Sequence, residues 1–210
     1  MKVAIVAICV TAIAAACAIA GCRMFSKRET AATIPLTAKP QGKIAIVYYS
    51  QSKAQNTAIV ATWIQKHTGG DLLPLEMAEP YPESYGAIIE AVRKDIEAGT
   101  HPALKAIPDL AAYDIVFVGA PIWYGTCALP MATFLDTEKL AGKTVVPFCA
   151  HGGGGAGRAF DDIRKACPEA KVLEGLAFRG SNQIERRLGT GVTSHHTEDD
   201  VVEWLNRIFR

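Results

Sequence analysis

The sequence of 210 residues predicts an α/β fold in three layers, a five-stranded parallel sheet with helices on both faces. Two observations carry that prediction. Compact apolar runs rich in β-branched and aromatic residues recur at KIAIVYY (43–49), YDIVFVGAP (113–121) and GKTVVPFCA (142–150). Runs that are apolar throughout belong to strands buried on both faces. Between them lie segments whose apolar residues repeat at helical spacing. Strands alternating with amphipathic helices are the pattern of a parallel sheet with crossover helices.

The elements follow in order. Residues 43–49 form strand one. Val60, Trp63, Ile64 and His67 then stand at i, i+3, i+4 and i+7, one face of a helix that Gly69-Gly70 stops. DLLPLEM (71–77) is strand two, and its proline suggests an edge position. A helix over about 84–98 turns Ile89, Val92 and Ile96 inward and ends at Gly99. Residues 113–121 are strand three, 128–136 a short helix, and 142–150 strand four. Phe160, Ile163 and Cys167 mark a helix that Pro168 ends. KVLEGLAF (171–178) is strand five, broken by Gly175. In the last helix (197–209) Thr197 is the N-cap and acids fill the first turn. Its stripe is Val201, Trp204, Leu205 and Ile208.

The first 22 residues differ in kind. MKVAIVAICVTAIAAACAIAGC has one lysine, an apolar stretch and a small-residue end, the pattern of a secretory signal. Ile19-Ala20-Gly21-Cys22 resembles the lipobox of bacterial lipoproteins, in which the cysteine is lipidated and becomes the first mature residue. That resemblance implies a signal peptide at 1–21, a lipid on Cys22 and a tether over 22–42. It places the 43–210 domain outside the cytoplasm, anchored to a membrane of the cell envelope. An uncleaved anchor or an ordinary signal cut nearby are the alternatives.

Composition excludes several classes. There are 22 basic and 21 acidic residues, and removing 1–21 takes away one lysine, leaving 21 of each. No basic stripe with interleaved aromatics is present, which argues against a nucleic-acid partner. Cys127, Cys149 and Cys167 have neither the spacing nor the even count of a disulfide or zinc framework, and read as buried small hydrophobes. No metal cluster with ligand spacing and no Ser-His-Asp set is found. His195-His196 and Glu185-Arg186-Arg187 read as solvated.

In open doubly wound sheets, ligands bind outside the carboxyl ends of the strands, at the switch point. Three loops therefore matter. SQSKAQNT (50–57) offers Ser50, Ser52, Asn56 and Thr57 just before a helix, whose amides and dipole suit a phosphate monoester. A simple N-cap at Asn56 is the plainer reading. In APIWYGTCALP (120–130), Pro121 and Gly125 bracket Ile122, Trp123 and Tyr124. The rings can face a planar heteroaromatic ligand or pack back on the domain. AHGGGGAG (150–157) supplies Ala150, His151, Gly152, Gly153 and Gly154. Amides without a Cβ can approach the edge of a flat ring. His151 can face the ligand or water. Gly152, Gly154 and Gly157 also match G-x-G-x-x-G, a weak match because it follows the fourth strand rather than the first.

YYSQS…NT, YDIVFVGAPIWYGT and GKTVVPFCAHGGGG together resemble the flavodoxin-like FMN flavoprotein family, in particular a branch with a His-Gly-rich fourth loop. The resemblance covers nearly all of 43–179 and implies strand order 2-1-3-4-5 and non-covalent FMN. The phosphate falls to Ser50, Ser52, Asn56 and Thr57. The 121–125 loop flanks the isoalloxazine with Trp123, and the 150–154 loop reaches its pyrimidine edge. Gly153→Val is then expected to weaken FMN binding and leave the fold intact.

Two departures stand out. The family's phosphate loop runs Ser-x-Ser/Thr-Gly-Asn-Thr. Here either two residues are inserted and the glycine is missing, or Ser52–Thr57 aligns without a gap and Gln55 replaces the glycine. Ala150 stands where the family usually has threonine.

The family implies electron transfer through FMN, with a redox partner protein or a small quinone-like acceptor. Three readings stay open: an electron carrier, an FMN-dependent oxidoreductase of quinone-reductase type, and a binding protein that has lost its flavin.

Overall fold

The computed structural model describes residues 34–51, 55–138, 140–180 and 197–210. The signal, Cys22, Ser52, Glu185-Arg186-Arg187 and His195-His196 lie outside them.

Seven strands and five helices follow one another in these residues: β1 (Ile44–Tyr48), α1 (Asn56–Thr68), β2 (Asp71–Pro74), α2 (Tyr85–Ala98), β3 (Ile115–Trp123) and β4 (Thr126–Cys127). After these come α3 (Leu129–Thr137), β5 (Thr144–His151), α4 (Ala159–Ala166), β6 (Lys171–Val172), β7 (Leu176–Arg179) and α5 (Glu198–Ile208). The parallel sheet runs β2-β1-β3-β5, with β6 and β7 both on the far side of β5. That is the expected order, with the fifth strand in two pieces. The register explains the split. Thr144 pairs with Lys171, but Phe148 pairs with Leu176. The partner offset grows by one residue, a bulge around Leu173–Gly175.

Each face of the sheet has its own core. Ile46, Phe117, Val146 and Phe148 turn toward α1 and α5, where Ile64, Trp204 and Leu205 bury fully. Val47, Val116, Val118 and Val145 face the other side, against Val92, Phe134 and Ile163 of α2, α3 and α4. The alternation along β1 and β3 thus feeds two layers of helices, which is why these strands are apolar throughout.

Two expectations need correction. Ile96 does not turn inward. Val92 is buried and Ile88 and Ala91 pack on the core, but Ile96 is 43% exposed. Residues 34–37, expected to be tether, are fastened to α5. Thr37 donates from its backbone to Asn206 Oδ1 at 2.7 Å, and the Asn206 amide donates to the Pro35 carbonyl at 3.0 Å. As expected, Thr197 caps α5, in a reciprocal capping box with Asp200. Among the described residues no helix is long and apolar enough to cross a membrane.

Candidate functional site

The candidate site lies at the carboxyl edge of the sheet, where β3 runs on past the end of β1. The sequence reading made 121–125 a loop. Instead Pro121–Trp123 extend β3 beside β5, with Pro121 level with Ala150, and the chain turns back as β4. The turn is two residues, Tyr124 and Gly125, with φ of 48° and 78°. Positive φ at both central positions belongs to the turns that match the twist of a hairpin.

The two rings on this hairpin go different ways. Trp123 is half-buried, edge-on to Tyr49 and Tyr81 with centroids 5.9 and 5.8 Å away. Tyr124 is 49% exposed, and its hydroxyl donates to the Ile89 carbonyl at 3.2 Å. The aromatic trio is set from below. The Tyr49 hydroxyl donates to Gln51 Oε1, and the Gln51 amide donates to the Tyr81 carbonyl at 2.9 Å. Tyr81 donates to Asp95 at 2.6 Å. Burial pushes both phenols well above their ordinary pKa, Tyr81 further through the Asp95 carboxylate, so both stay protonated.

The glycine loop is organised by its histidine. Nδ1 of His151 accepts from the backbone N–H of Gly153 and of Gly155, each at 3.1 Å. Two donors at Nδ1 leave the proton of the neutral ring on Nε2. The sequence reading let His151 face ligand or water; its Nδ1 instead holds its own loop. The amides of Gly152 and Gly154 have no acceptor among the described residues.

The glycines themselves divide into two kinds. Gly153, Gly155 and Gly157 take φ of 138°, 71° and 55°, a region L side chains rarely adopt. A Cβ at Gly157 would also collide with the Gly125 carbonyl oxygen and lie 2.9 Å from its carbon. That same carbonyl accepts from Arg158 N–H at 2.8 Å, so the hairpin tip is joined to the end of the glycine loop. Gly152 and Gly154 have neither reason. Their φ is ordinary, and an added Cβ would meet nothing within 4 Å. Nothing in the described chain asks for glycine at these two positions.

The loop after β1 shows the opposite mismatch. Gln55 has φ 50° and ψ 32°, the left-handed conformation, and its carbonyl begins α1 by accepting from Ile59 at 2.9 Å. The N-cap is therefore Gln55, not Asn56, which is the first helical residue. The backbone here makes the turn for which a glycine is the usual choice. This matches the gapless alignment, in which Gln55 occupies the glycine position. Asn56 reaches across to the chain leaving β7. A Cβ on Gly180 would collide with its Nδ2, and Gly180 N–H donates to the His151 carbonyl at 3.0 Å.

The three predicted loops thus meet along one line. Asn56 abuts Gly180, Gly180 bonds to His151, Ala150 pairs with Pro121, and Gly157 touches Gly125. Ser50 stands two residues past the end of β1 and is half-buried. Thr57 and Ala150 are almost closed off, at 2% and 5% exposure. Sequence reasoning missed Tyr49, Gln51 and Tyr81, which support Trp123, and Gly180, which packs on Asn56. A glycine directly after the last strand was the one available signal. The three cysteines are buried, and burial pushes the Cys127 and Cys149 thiols up, Cys149 to about 12. Neither supplies a thiolate near neutral pH.

Comparison with known proteins agrees with this fold. Among curated proteins none matches the chain. Of solved structures, a Bacteroides eggerthii protein named as a flavoprotein is 27% identical at TM-score 0.65, over 80% of this chain and 98% of its own. A Bacteroides uniformis protein named likewise is 22% identical at TM-score 0.62, over 79% of this chain and 99% of its own. A Lactobacillus acidophilus flavoprotein solved in complex with FMN is 21% identical at TM-score 0.56, over 69% and 97%. The flavodoxin family model matches residues 43–208, and the chain belongs to the flavodoxin family.

Proposed function

We propose that the chain binds FMN along this edge and works as a redox protein that transfers electrons through it. One observation carries the proposal. Gly152 and Gly154 are glycines that no φ angle and no neighbour in the described chain explains, and their amides have no acceptor there. A flat ligand pressed against the loop accounts for both facts. The flavodoxin family and the FMN complex of the Lactobacillus acidophilus relative support the choice of ligand.

Ser50, Ser52, Asn56 and Thr57 would hold the phosphate, where the first amides and the dipole of α1 favour an anion. Pro121, Ile122, Trp123, Tyr124 and Gly125 would lie along the ring. Ala150, His151, Gly152, Gly153 and Gly154 would meet its polar edge. Bound FMN supplies reversible electron transfer, and the protein sets its surroundings. The Tyr49–Trp123–Tyr81 group offers an apolar wall, while His151 holds the loop that presents the amides.

The test is the visible spectrum of the purified protein, before and after adding FMN and passing it through gel filtration. Flavin bands that elute with the protein are expected. Protein that elutes colourless after FMN addition would refute the proposal.

The second reading is an FMN-dependent oxidoreductase that reduces a quinone-like acceptor. It is favoured by charge. Equal numbers of acidic and basic residues after residue 21 give none of the acidic steering that carriers use toward basic partner proteins. Turnover of a small quinone by the reduced, flavin-loaded protein separates it from a carrier. Gln55 takes the left-handed conformation at the position where the family's phosphate loop has glycine, which supports flavin binding over the reading of a binding protein that has lost its flavin.

The Cys22 anchor belongs to the same proposal. Since Ile34 is bonded to Asp199 of α5 at 3.0 Å, the twelve residues from Cys22 to the domain reach roughly 40 Å at full extension. The domain would then work close to the bilayer surface, outside the cytoplasm. Labelling by a lipid precursor that is lost in Cys22→Ala is the expected signature.

A further inference from the structure

Three histidines lie among the described residues, and a proton acts differently at each. His67 Nε2 is 2.7 Å from Glu198 Oε1, and His101 Nδ1 is 2.7 Å from Asp136 Oδ2. A charged ring tightens both contacts. At His151 the partners have the opposite sense. Its Nδ1 accepts from the backbone N–H of Gly153 and of Gly155, and only a neutral imidazole has a ring nitrogen that can accept. A proton on Nδ1 removes the lone pair that both bonds share and sets an N–H against two others.

The surroundings confine that effect to the loop. Both ends of the glycine run are held by backbone alone. The His151 carbonyl accepts from Gly180 at 3.0 Å, and the Arg158 N–H donates to the Gly125 carbonyl at 2.8 Å. Neither bond titrates. Between these points stand five glycines and Ala156, so no side chain longer than a methyl group holds the run. Among the described residues the ring is the only acceptor that any amide from 152 to 157 finds. The charged groups about it are few. Arg179 of β7 stands level with His151 in the sheet. At the head of α4, Arg158 pairs with Asp162 at 2.9 Å and Asp161 with Arg164 at 2.7 Å. Ile122 of β3 and Asn56 of α1 carry no charge. The two ion pairs largely cancel, and Arg179 is the charge left over, of the same sign as a protonated ring.

We infer that His151 is a positioning residue of the flavin site, and that its protonation releases the glycine loop and, with it, FMN. The inference rests on the flavin reading above and adds its regulation. While the ring is neutral, its bonds to Gly153 and Gly155 fix Gly154 between them, the glycine whose amide that reading uses. As pH falls through the histidine range, about 6.5, both bonds are lost while the ends of the loop stay fastened. FMN affinity is full above that range and falls below it. On a domain outside the cytoplasm, flavin retention then answers to the pH of the surroundings.

The experiment has two readouts on the full chain. Nitrogen-15 NMR of the flavin-free protein follows the His151 ring nitrogens together with the amides of Gly153 and Gly155. Their titrations should share one midpoint, and His151→Asn should abolish the step in both amides. FMN affinity is then measured from about pH 7.5 to about pH 5.5 by the change in flavin fluorescence on binding. The phosphate of FMN takes up a proton of its own near pH 6, roughly in the middle of this range. The reference is therefore His151→Asn, whose amide oxygen accepts without titrating. Over the range the parent should lose about tenfold more affinity than His151→Asn does. His151→Phe, which has no acceptor, should bind more weakly than His151→Asn at the upper pH and share its shallower pH dependence. Circular dichroism at both ends of the range confirms that each protein is folded. Equal pH dependence in the parent and His151→Asn would overturn the inference, since the phosphate would then account for all of it. So would amides of Gly153 and Gly155 that ignore the titration of the ring. No FMN binding at any pH, with both amides still following the ring, would sink the flavin reading alone.

Discussion

The loop after β5 and the loop after β1 leave the same edge of the sheet, with β3 between their strands, and err in opposite directions. The first carries two glycines, Gly152 and Gly154, for which its own fold has no use. The second lacks a glycine where its backbone takes φ 50°, at Gln55. A side chain is left out where there is room for one, and kept where the backbone resists it. The comparison teaches where to look for an outside group. A glycine demanded by φ or by a close neighbour reports on folding. A glycine demanded by neither reports on something that comes to lie there.

The largest effect should come from the glycine whose reason is entirely internal. Gly157→Ala places a Cβ against the Gly125 carbonyl at a φ of 55°, and is expected to destabilise by about 3 kcal/mol. Urea unfolding measures it. A loss near zero would mean that the hairpin tip and the glycine loop are not joined as described.

Next comes the pair without an internal reason. Gly154→Ala should leave folding stability within about 0.5 kcal/mol of the parent. The same change should raise the FMN dissociation constant at least about tenfold. The Gly153→Val test suggested by sequence is poorer, because at φ 138° a valine strains the backbone whether or not flavin is present. Equal FMN affinity in Gly154→Ala would remove the distinction between the two kinds of glycine.

Gln55→Gly tests the other loop. Relief of the left-handed conformation outweighs the extra chain entropy of glycine, and a gain of up to about 1 kcal/mol is expected. FMN affinity should rise with it, because the phosphate turn no longer costs strain. A loss of stability would show that the Gln55 side chain contributes more than its backbone costs.

The smallest effect lies at the other end of α1 and serves as the control. Glu198 stands 2.6 Å from Lys66 and 2.7 Å from His67, joining α1 to α5. The Lys66 hydrogen bond, then that of His67, holds its carboxyl below the ordinary value. A depressed folded pKa gives stability that is present above the unfolded value, roughly pH 4.5, and lost as pH falls through the folded one. Glu198→Gln should flatten that acid limb, at a cost below about 1 kcal/mol near neutral pH. FMN affinity should not change. If it did, the effects at Gly154 and Gln55 could not be assigned to their loops.

Most of the fold was legible because burial on both faces leaves a plain mark. Strands one, three and four read as unbroken apolar runs, and Pro74 marked the edge strand. Ile96 was misread because helical periodicity tells which residues share a face. It does not tell how far across the core the neighbouring helix stands. The hairpin at 121–127 was misread because Trp-Tyr-Gly-Thr is as good a loop as a turn. Only the continued pairing of Pro121 with Ala150 shows that β3 goes on. The bulge in the fifth strand left one trace, Gly175, which sequence showed as a break and the register showed as a one-residue slip.

By itself the sequence determined the layer order, the strands and the three loops that would meet at the carboxyl edge. These follow from local periodicity and from chain connectivity, which every residue carries with it. Only the tertiary structure decided what each loop residue does there. It set His151 to hold its own loop, Gln55 in a conformation suited to glycine, and Trp123 against two tyrosines. It also separated the glycines the fold needs from those it does not. Those outcomes depend on which backbone passes within a few ångströms of which, and residues far apart in the chain share no local pattern that could record it.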